Sequence, residues 1–248
     1  MNSLKQIRTV FTREFKAYFD SPVAYVFLVA FLVLTGFLTF GISGFYESRQ
    51  ANLYPFFFWH PWVYLLLVPA ATMGLWAEER RNGTIELLLT LPITLTQTLL
   101  GKFLGAWAFI GIALLLTFPI VLTVAWLGNP DIGTIMCGYF GSFLLAGAAV
   151  AVGVFSSALS KSQVIGFVIS LSICFAAMIA GFDPVVNALS SWGVPRCIVE
   201  TIAQCSFLSH FDAMRRGVID LYDIGYYVGV VVFMLSAAEF AVENRKAS

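Results

Sequence analysis

The residues best placed to do work run from Glu78 to Pro92, EERRNGTIELLLTLP, a charged-to-apolar segment between two apolar runs of membrane length. Glu78, Glu79, Arg80 and Arg81 lead into a turn at Asn82-Gly83, and a helix restarts behind Thr84. Thr84 suits an N-cap, and Glu86 suits the positive end of the helix dipole. Ile85, Leu88 and Leu89 share one face through their three- and four-residue spacing, and Pro92 ends the segment. A short capped helix with an apolar stripe, held outside the bilayer between two spans, has the form of an element that a partner protein grips. The plainer reading is a loop stabilised by Glu/Arg pairs.

No catalytic constellation accompanies it. His60 and His210 have no metal-ligand spacing, and Cys137, Cys174, Cys197 and Cys205 form no CxxC. Cys197 and Cys205 on one continuous helix would be separated by about 12 Å of rise, too far for a disulfide unless the helix breaks between them. The P-loop pattern is missing, since Gly101-Lys102 is followed by Phe103 and lacks the upstream glycine. Ionisable groups are nearly absent from the apolar runs, which argues against a proton- or ion-coupled carrier. If this chain moves something, the energy comes from elsewhere.

The elements that must position the Glu78–Pro92 segment are membrane spans. Of 248 residues 59% are hydrophobic and 11% charged, where a soluble domain carries roughly 25% charged residues. Mean hydropathy is +0.86. Charge-free windows cover Val23–Tyr46, Gln50–Ala77, Phe103–Pro130, Ile132–Ser160, Ser162–Phe182 and Ile224–Ala238. A helix needs about 20 apolar residues to cross the hydrocarbon core, so six spans are expected, the last borrowing length from its flanks. The period-2 alternation of a membrane β-barrel is absent.

Formal net charge is zero and no basic stripe with interleaved aromatics occurs, so nucleic acid is not a partner. Placing both termini inside puts ten Lys and Arg residues in the cytoplasm, Lys102 and Lys161 among them, against four outside: Arg49, Arg196, Arg215 and Arg216. That satisfies the positive-inside rule. The lead-in and length of the first run exclude a cleaved signal peptide.

Residues 1–20 read as a basic amphipathic helix in the inner interface. Leu4, Ile7, Val10, Phe11, Phe15, Tyr18 and Phe19 lie on its apolar face, opposite Lys5, Thr9, Thr12, Arg13 and Lys16. Ser21 and Pro22 restart the chain as N-cap and N1. Phe56, Phe57, Phe58, Trp59, Trp62 and Tyr64 suit an aromatic belt at the outer entrance of span 2, with His60 an interfacial residue inside it. Pro119 should kink span 3, Gly128–Asp131 should turn the chain outside, and the small residues of span 4 permit close packing. Residues 156–163 form a second cytoplasmic loop, and residues 183–223 form the longest outer segment. There Asp212, Arg216 and Asp220 recur at i, i+4 beside Arg215, a solvated face or a candidate partner contact. Residues 1–248 form one membrane domain.

The stretch EERRNGTIELLLTLPI resembles the signature of ABC-2-type transporter permeases: a Glu-Arg pair, a Gly-Thr, a second Glu and a terminal Pro before the next span. The segments REFKAYFDSPVAYVFL and SHFDAMRRGVIDLYD are similar to the permease subunit of gliding-motility-associated ABC transporters, and a related branch is the nitrous-oxide-reductase maturation permease. The resemblance implies an all-α integral membrane protein with six transmembrane helices, the type V exporter-like fold, an N-terminal interfacial helix and cytoplasmic coupling helices. Glu79, Arg80, Gly83, Thr84, Glu86 and Pro92 match the first coupling helix, for which Ile85, Leu88 and Leu89 supply apolar anchors. The 156–163 loop, with Lys161, matches the second contact.

The resemblance further implies two permease copies and two separate ATPase subunits in a bacterial inner membrane. ATP and Mg are held by the ATPase, and this chain carries no cofactor. A membrane-anchored protein with a large periplasmic domain is a further expected partner. The rival reading is a mechanotransmitter that drives an outer partner without moving a solute. A membrane enzyme would need clustered His, Asp or Glu near one interface. The apolar spans suit a lipid, a lipid-linked glycan or a protein better than a hydrophilic solute.

Overall fold

The computed structural model describes residues 3–48, 50–83 and 93–244, and these are helical, with no strand among them. Helix α1 (Ser3–Asp20) is followed by α2 (Pro22–Phe37), which Ser21 caps by accepting the Val23 N–H. Proline at the start of a helix gives up no internal hydrogen bond, so this junction is set by two adjacent residues. The helix continues as a π-turn, Leu38–Ile42, into α3 (Phe45–Ser48).

Helices α4 (Tyr54–Thr72) and α5 (Gly74–Arg81) form one rod broken at Met73. Helix α6 (Leu95–Leu115) opens with a capping box, Thr94 with Gln97, and α7 (Phe118–Leu127) continues it after a break near Thr117, with Pro119 in the first turn. The rod therefore begins at Leu95 rather than near Phe103. The cap satisfies its first amides, and the charge of Lys102 is neutralised inside the bundle, so a lysine does not mark the boundary. Helices α8 (Ile132–Leu159) and α9 (Gln163–Ile179) follow. Three short helices, α10 (Asp183–Ser191), α11 (Arg196–Gln204) and α12 (Phe207–Arg215), lead to α13 (Leu221–Asn244).

Among the described residues, five rods are long and apolar enough to cross a membrane: Pro22–Ile42, Tyr54–Arg81, Leu95–Leu127, Ile132–Leu159 and Leu221–Asn244. A sixth exists if α9 and α10, bent by 71° at Ala180–Phe182, are taken as one span.

Helix α8 is the axis. It packs on α4, α5, α6, α9, α12 and α13, and 78% of its most apolar window is buried, against 11% for α13. Its small residues make that possible: a Cβ at Gly138 would overlap the Phe57 ring, and one at Gly153 the Thr72 hydroxyl. Apolar side chains face outward instead on α2 (Val26, Val29, Val33) and α13 (Val228, Val232, Phe233). An apolar exterior of this kind is what a lipid solvent requires.

The expected aromatic belt resolves into two sets. Phe56, Phe57 and Tyr64 are buried in the core, and Phe58 stays exposed. His60 is buried too, 2.7 Å from the Ser142 hydroxyl and ringed by Phe31, Phe56, Phe57 and Tyr64. It is a core residue rather than an interfacial one. The room comes from α8, where Gly138 admits Phe57 and Ser142 supplies the polar partner.

Candidate functional site

At the bundle end that holds α1 and the last turns of α13, four charges meet. Lys102 on α6 is 1% exposed. Its Nζ lies 2.9 Å from Glu79 Oε1 and 3.3 Å from Glu14 Oε1, and it donates to the Leu75 carbonyl at 2.8 Å. Its ammonium also sits over the Trp76 ring, 5.2 Å from the centroid. Arg13 reaches Glu14 at 2.5 Å and Glu79 at 3.4 Å. Two cations thus face two carboxylates, the condition under which a buried ammonium is tolerable. Burial works against the Arg13 charge, yet Glu14 and Glu79 outweigh it and push its pKa up.

Two glycines of α6 bring α1 close enough for this contact. Gly101 faces Val10, and Gly105 faces Glu14 and Phe15. Tyr18 stacks on Phe109 with centroids 4.6 Å apart and donates to the Ala71 carbonyl at 2.9 Å. Burial, then the carboxylates of Glu14 and Glu78, raise the Tyr18 phenol above its ordinary value. The apolar stripe of α1 is therefore covered mainly by α6. Leu4, placed on that stripe by its spacing, is 80% exposed beyond the end of the contact. The opposite face, with Lys5, Arg8, Thr9, Thr12 and Lys16, is open.

Glu79, Arg80 and Gly83 of the expected coupling segment are described. Glu79 and Arg80 lie in the last turn of α5, and Gly83 ends it in a left-handed conformation, φ +68°. Such a conformation favours glycine. Thr84, Ile85, Glu86, Leu88, Leu89 and Pro92 lie outside the described residues.

The segment 156–163 is mostly helix rather than loop. Ser156 and Ser157 are buried in the last turn of α8, and only Ser160, Lys161 and Ser162 connect to α9, with Lys161 exposed. The Ser157 hydroxyl accepts from the N–H groups of Trp76 (2.9 Å) and Ala77 (3.2 Å) and donates to the Met73 carbonyl at 2.8 Å. It satisfies backbone groups that the break in the α4–α5 rod leaves open. Gln163 then donates to Glu78 at 2.6 Å. The two segments expected to contact a partner are thus tied to each other, and Glu239 of α13 accepts from Thr96 beside them.

At the opposite end, α11 and α12 are clamped to α13. His210 Nδ1 lies 2.7 Å from Asp223, and its Nε2 lies 2.8 Å from the Gln204 carbonyl. Both ring nitrogens face oxygen atoms. The ring stacks on Tyr226 at 3.9 Å, and the hydroxyls of Tyr226 and Tyr227 bond the Cys205 and Phe207 carbonyls. Asp212 pairs with both Arg215 and Arg216. The expected ladder stops there: α12 ends at Arg215, Gly217 turns the chain at φ +90°, and Asp220 accepts the Tyr222 N–H at the start of α13. Cys197 and Cys205 are free thiols at the two ends of an unbroken α11.

Sequence reasoning passed over Glu14 and Lys102 as members of a site, and gave Ser157 no role beyond its place in the 156–163 segment. Glu14 carried a signal, because it interrupts the apolar stripe of α1 at four-residue spacing from Val10 and Tyr18. So did Lys102, a single charge among residues that otherwise continue a span. For Ser157 nothing in the local sequence distinguishes it from Ser156.

These apolar rods, with charged side chains gathered at the two ends of the bundle, define a multi-pass membrane protein. The chain belongs to the ABC-2 family of transporter proteins: the model for that family, described as ABC-2 family transporter protein, matches residues 9–222. The match runs from within α1 to the first turn of α13. Comparison with curated proteins gave no match. The family is a membrane permease that lacks an ATPase domain of its own and works with an ABC ATPase.

Proposed function

We propose that this chain is the transmembrane subunit of an ATP-driven transporter, in which a separate ATPase acts on the Glu78–Pro92 segment and on the 160–162 connection. The observation that carries this is the four-charge cluster of Arg13, Glu14, Glu79 and Lys102. It joins the last turn of α5, where the coupling segment begins, to α1 and to α6, which receives its other end. A displacement of that segment therefore moves two spans and the N-terminal helix together. Ser157 and Gln163 extend the linkage to α8 and α9.

In this reading the cluster lies on the cytoplasmic side of a bacterial inner membrane, with both termini inside, six spans, two permease copies and two ATPase subunits that hold ATP and Mg. The likeness to gliding-motility-associated permeases makes an outer-domain protein a further partner. Mechanotransmission without a solute is the second reading. It is favoured by the clamp of His210, Asp223 and Gln204, through which movement of α13 reaches the opposite-end helices directly.

The test is affinity purification from mild detergent. Glu86→Arg or Leu88→Asp should remove the ATPase from the eluate while the chain still inserts in the membrane. Retention of the ATPase by both variants would overturn the coupling assignment.

A further inference from the structure

The end of the bundle opposite the charge cluster holds a cleft of about 350 Å³ where α12 meets the starts of α4 and α8. Arg215 and Arg216 lie on one side of it. Leu53, Tyr54, Phe57 and Ile135 make its apolar lining, and Asp131 lies at the cap of α8. None of these residues takes part in the proposed coupling.

The arginines are held ready for an anion. The Arg215 guanidinium is stacked over Tyr54 at 4.5 Å and Phe58 at 5.3 Å, which fixes its plane. Its Nε is buried with no hydrogen-bond partner among the described residues. Asp212 takes one terminal nitrogen from each arginine, and a guanidinium offers five donors, so most of the fork remains. Arg216 is 64% exposed beside it. A phosphodiester, with two charged acceptor oxygens, matches such a fork.

The cleft is not simply cationic. Arg215 and Arg216 are balanced by Asp212 and Asp131, so the surrounding formal charge is zero. The Thr134 hydroxyl and the N–H groups of Gly133 and Thr134 hold the Asp131 carboxyl below the usual carboxylate range, so it stays ionised. A ligand that suits separated charges of both signs is zwitterionic, and the apolar lining asks for a hydrocarbon portion as well. At the end of a membrane-spanning bundle, the molecule with all three features is a phospholipid.

We propose that this cleft binds a zwitterionic phospholipid headgroup, its phosphodiester on Arg215 and Arg216 and its primary amine on Asp131. The inference rests on the membrane placement of the chain and not on ATPase coupling, so either can fail alone.

The experiment uses the chain purified from its membrane with whatever subunits accompany it, stripped of lipid. Retained lipid is read by native mass spectrometry, and Tm is followed as lipid is restored. Four probes are compared: phosphatidylethanolamine, phosphatidylglycerol, a neutral galactolipid and free phosphoethanolamine. Phosphatidylethanolamine should be retained and should raise Tm by about 5 °C at saturation, with the other three clearly weaker. Arg216→Gln and Asp131→Asn should each weaken its retention about tenfold, since each removes a charged hydrogen-bond partner. Asn still caps α8, and Arg216 is exposed, so both variants keep the fold. Lys16→Gln, a change in the basic face of α1, should retain phosphatidylethanolamine as the parent does. Equal retention of phosphatidylglycerol, or parental retention by both variants, would overturn the proposal. A full Tm shift from free phosphoethanolamine alone would assign the chemistry to a soluble ligand and overturn the lipid reading.

Discussion

Lys102 is the residue on which the charged end of the molecule depends. A buried ammonium that loses its place leaves Glu14 and Glu79 as neighbouring carboxylates and the Leu75 carbonyl without its donor. Breaking a fully buried pair costs about 3–5 kcal/mol, and partial exposure of the two carboxylates reduces this to about 2–3 kcal/mol for Lys102→Met. Adding Glu14→Gln and Glu79→Gln to Lys102→Met should recover most of that loss, because the like charges go with the cation. Denaturation of the purified chain in detergent measures both. A Lys102→Met variant as stable as the parent would show that the cluster contributes nothing to the fold.

At the scale of elements, the contact of α1 with α6 is set by glycine. At Gly101 a side chain would meet Val10 at 2.6 Å, so Gly101→Leu forces α1 away from α6 or shifts both. Overpacking of this kind costs about 1–3 kcal/mol. The expected outcome is faster tryptic cleavage at Arg8 and Arg13, because proteolysis needs a helix that opens locally. Gly225→Leu on α13, where a Cβ meets nothing within 4 Å, serves as the control and should be cleaved at the parental rate. Unchanged cleavage in Gly101→Leu would mean that α1 is held by its charges alone. The same logic runs through α8, whose small residues let Phe57 and Thr72 approach the central rod.

For the whole molecule, the chain places its charged cluster and its cleft at opposite ends of one bundle, joined by α8. In the proposed orientation α10, the bent end of the sixth span, finishes on the outer side, and Ser190 near its C-terminus is exposed. A cysteine at Ser190, with Cys197 and Cys205 changed to serine, should react with a membrane-impermeant maleimide in intact cells. Reaction only after lysis would invert the orientation and with it the side on which an ATPase could dock.

What the sequence by itself determined is local or compositional. The apolar runs follow from hydropathy. The Ser21-Pro22 start, the Asn82-Gly83 turn and the Pro119 break each depend on residues within one helical turn, and all three appear where the sequence puts them. Tertiary structure decided which polar residues meet. Glu14 and Lys102 are 88 positions apart, Trp76 and Ser157 are 81 apart, and His60 and Ser142 are 82 apart. Nothing in the neighbourhood of any one of them names its partner. Each pairing follows from how closely rods carrying glycine can pack, and in an apolar bundle a buried polar group must find whichever partner that packing brings within reach.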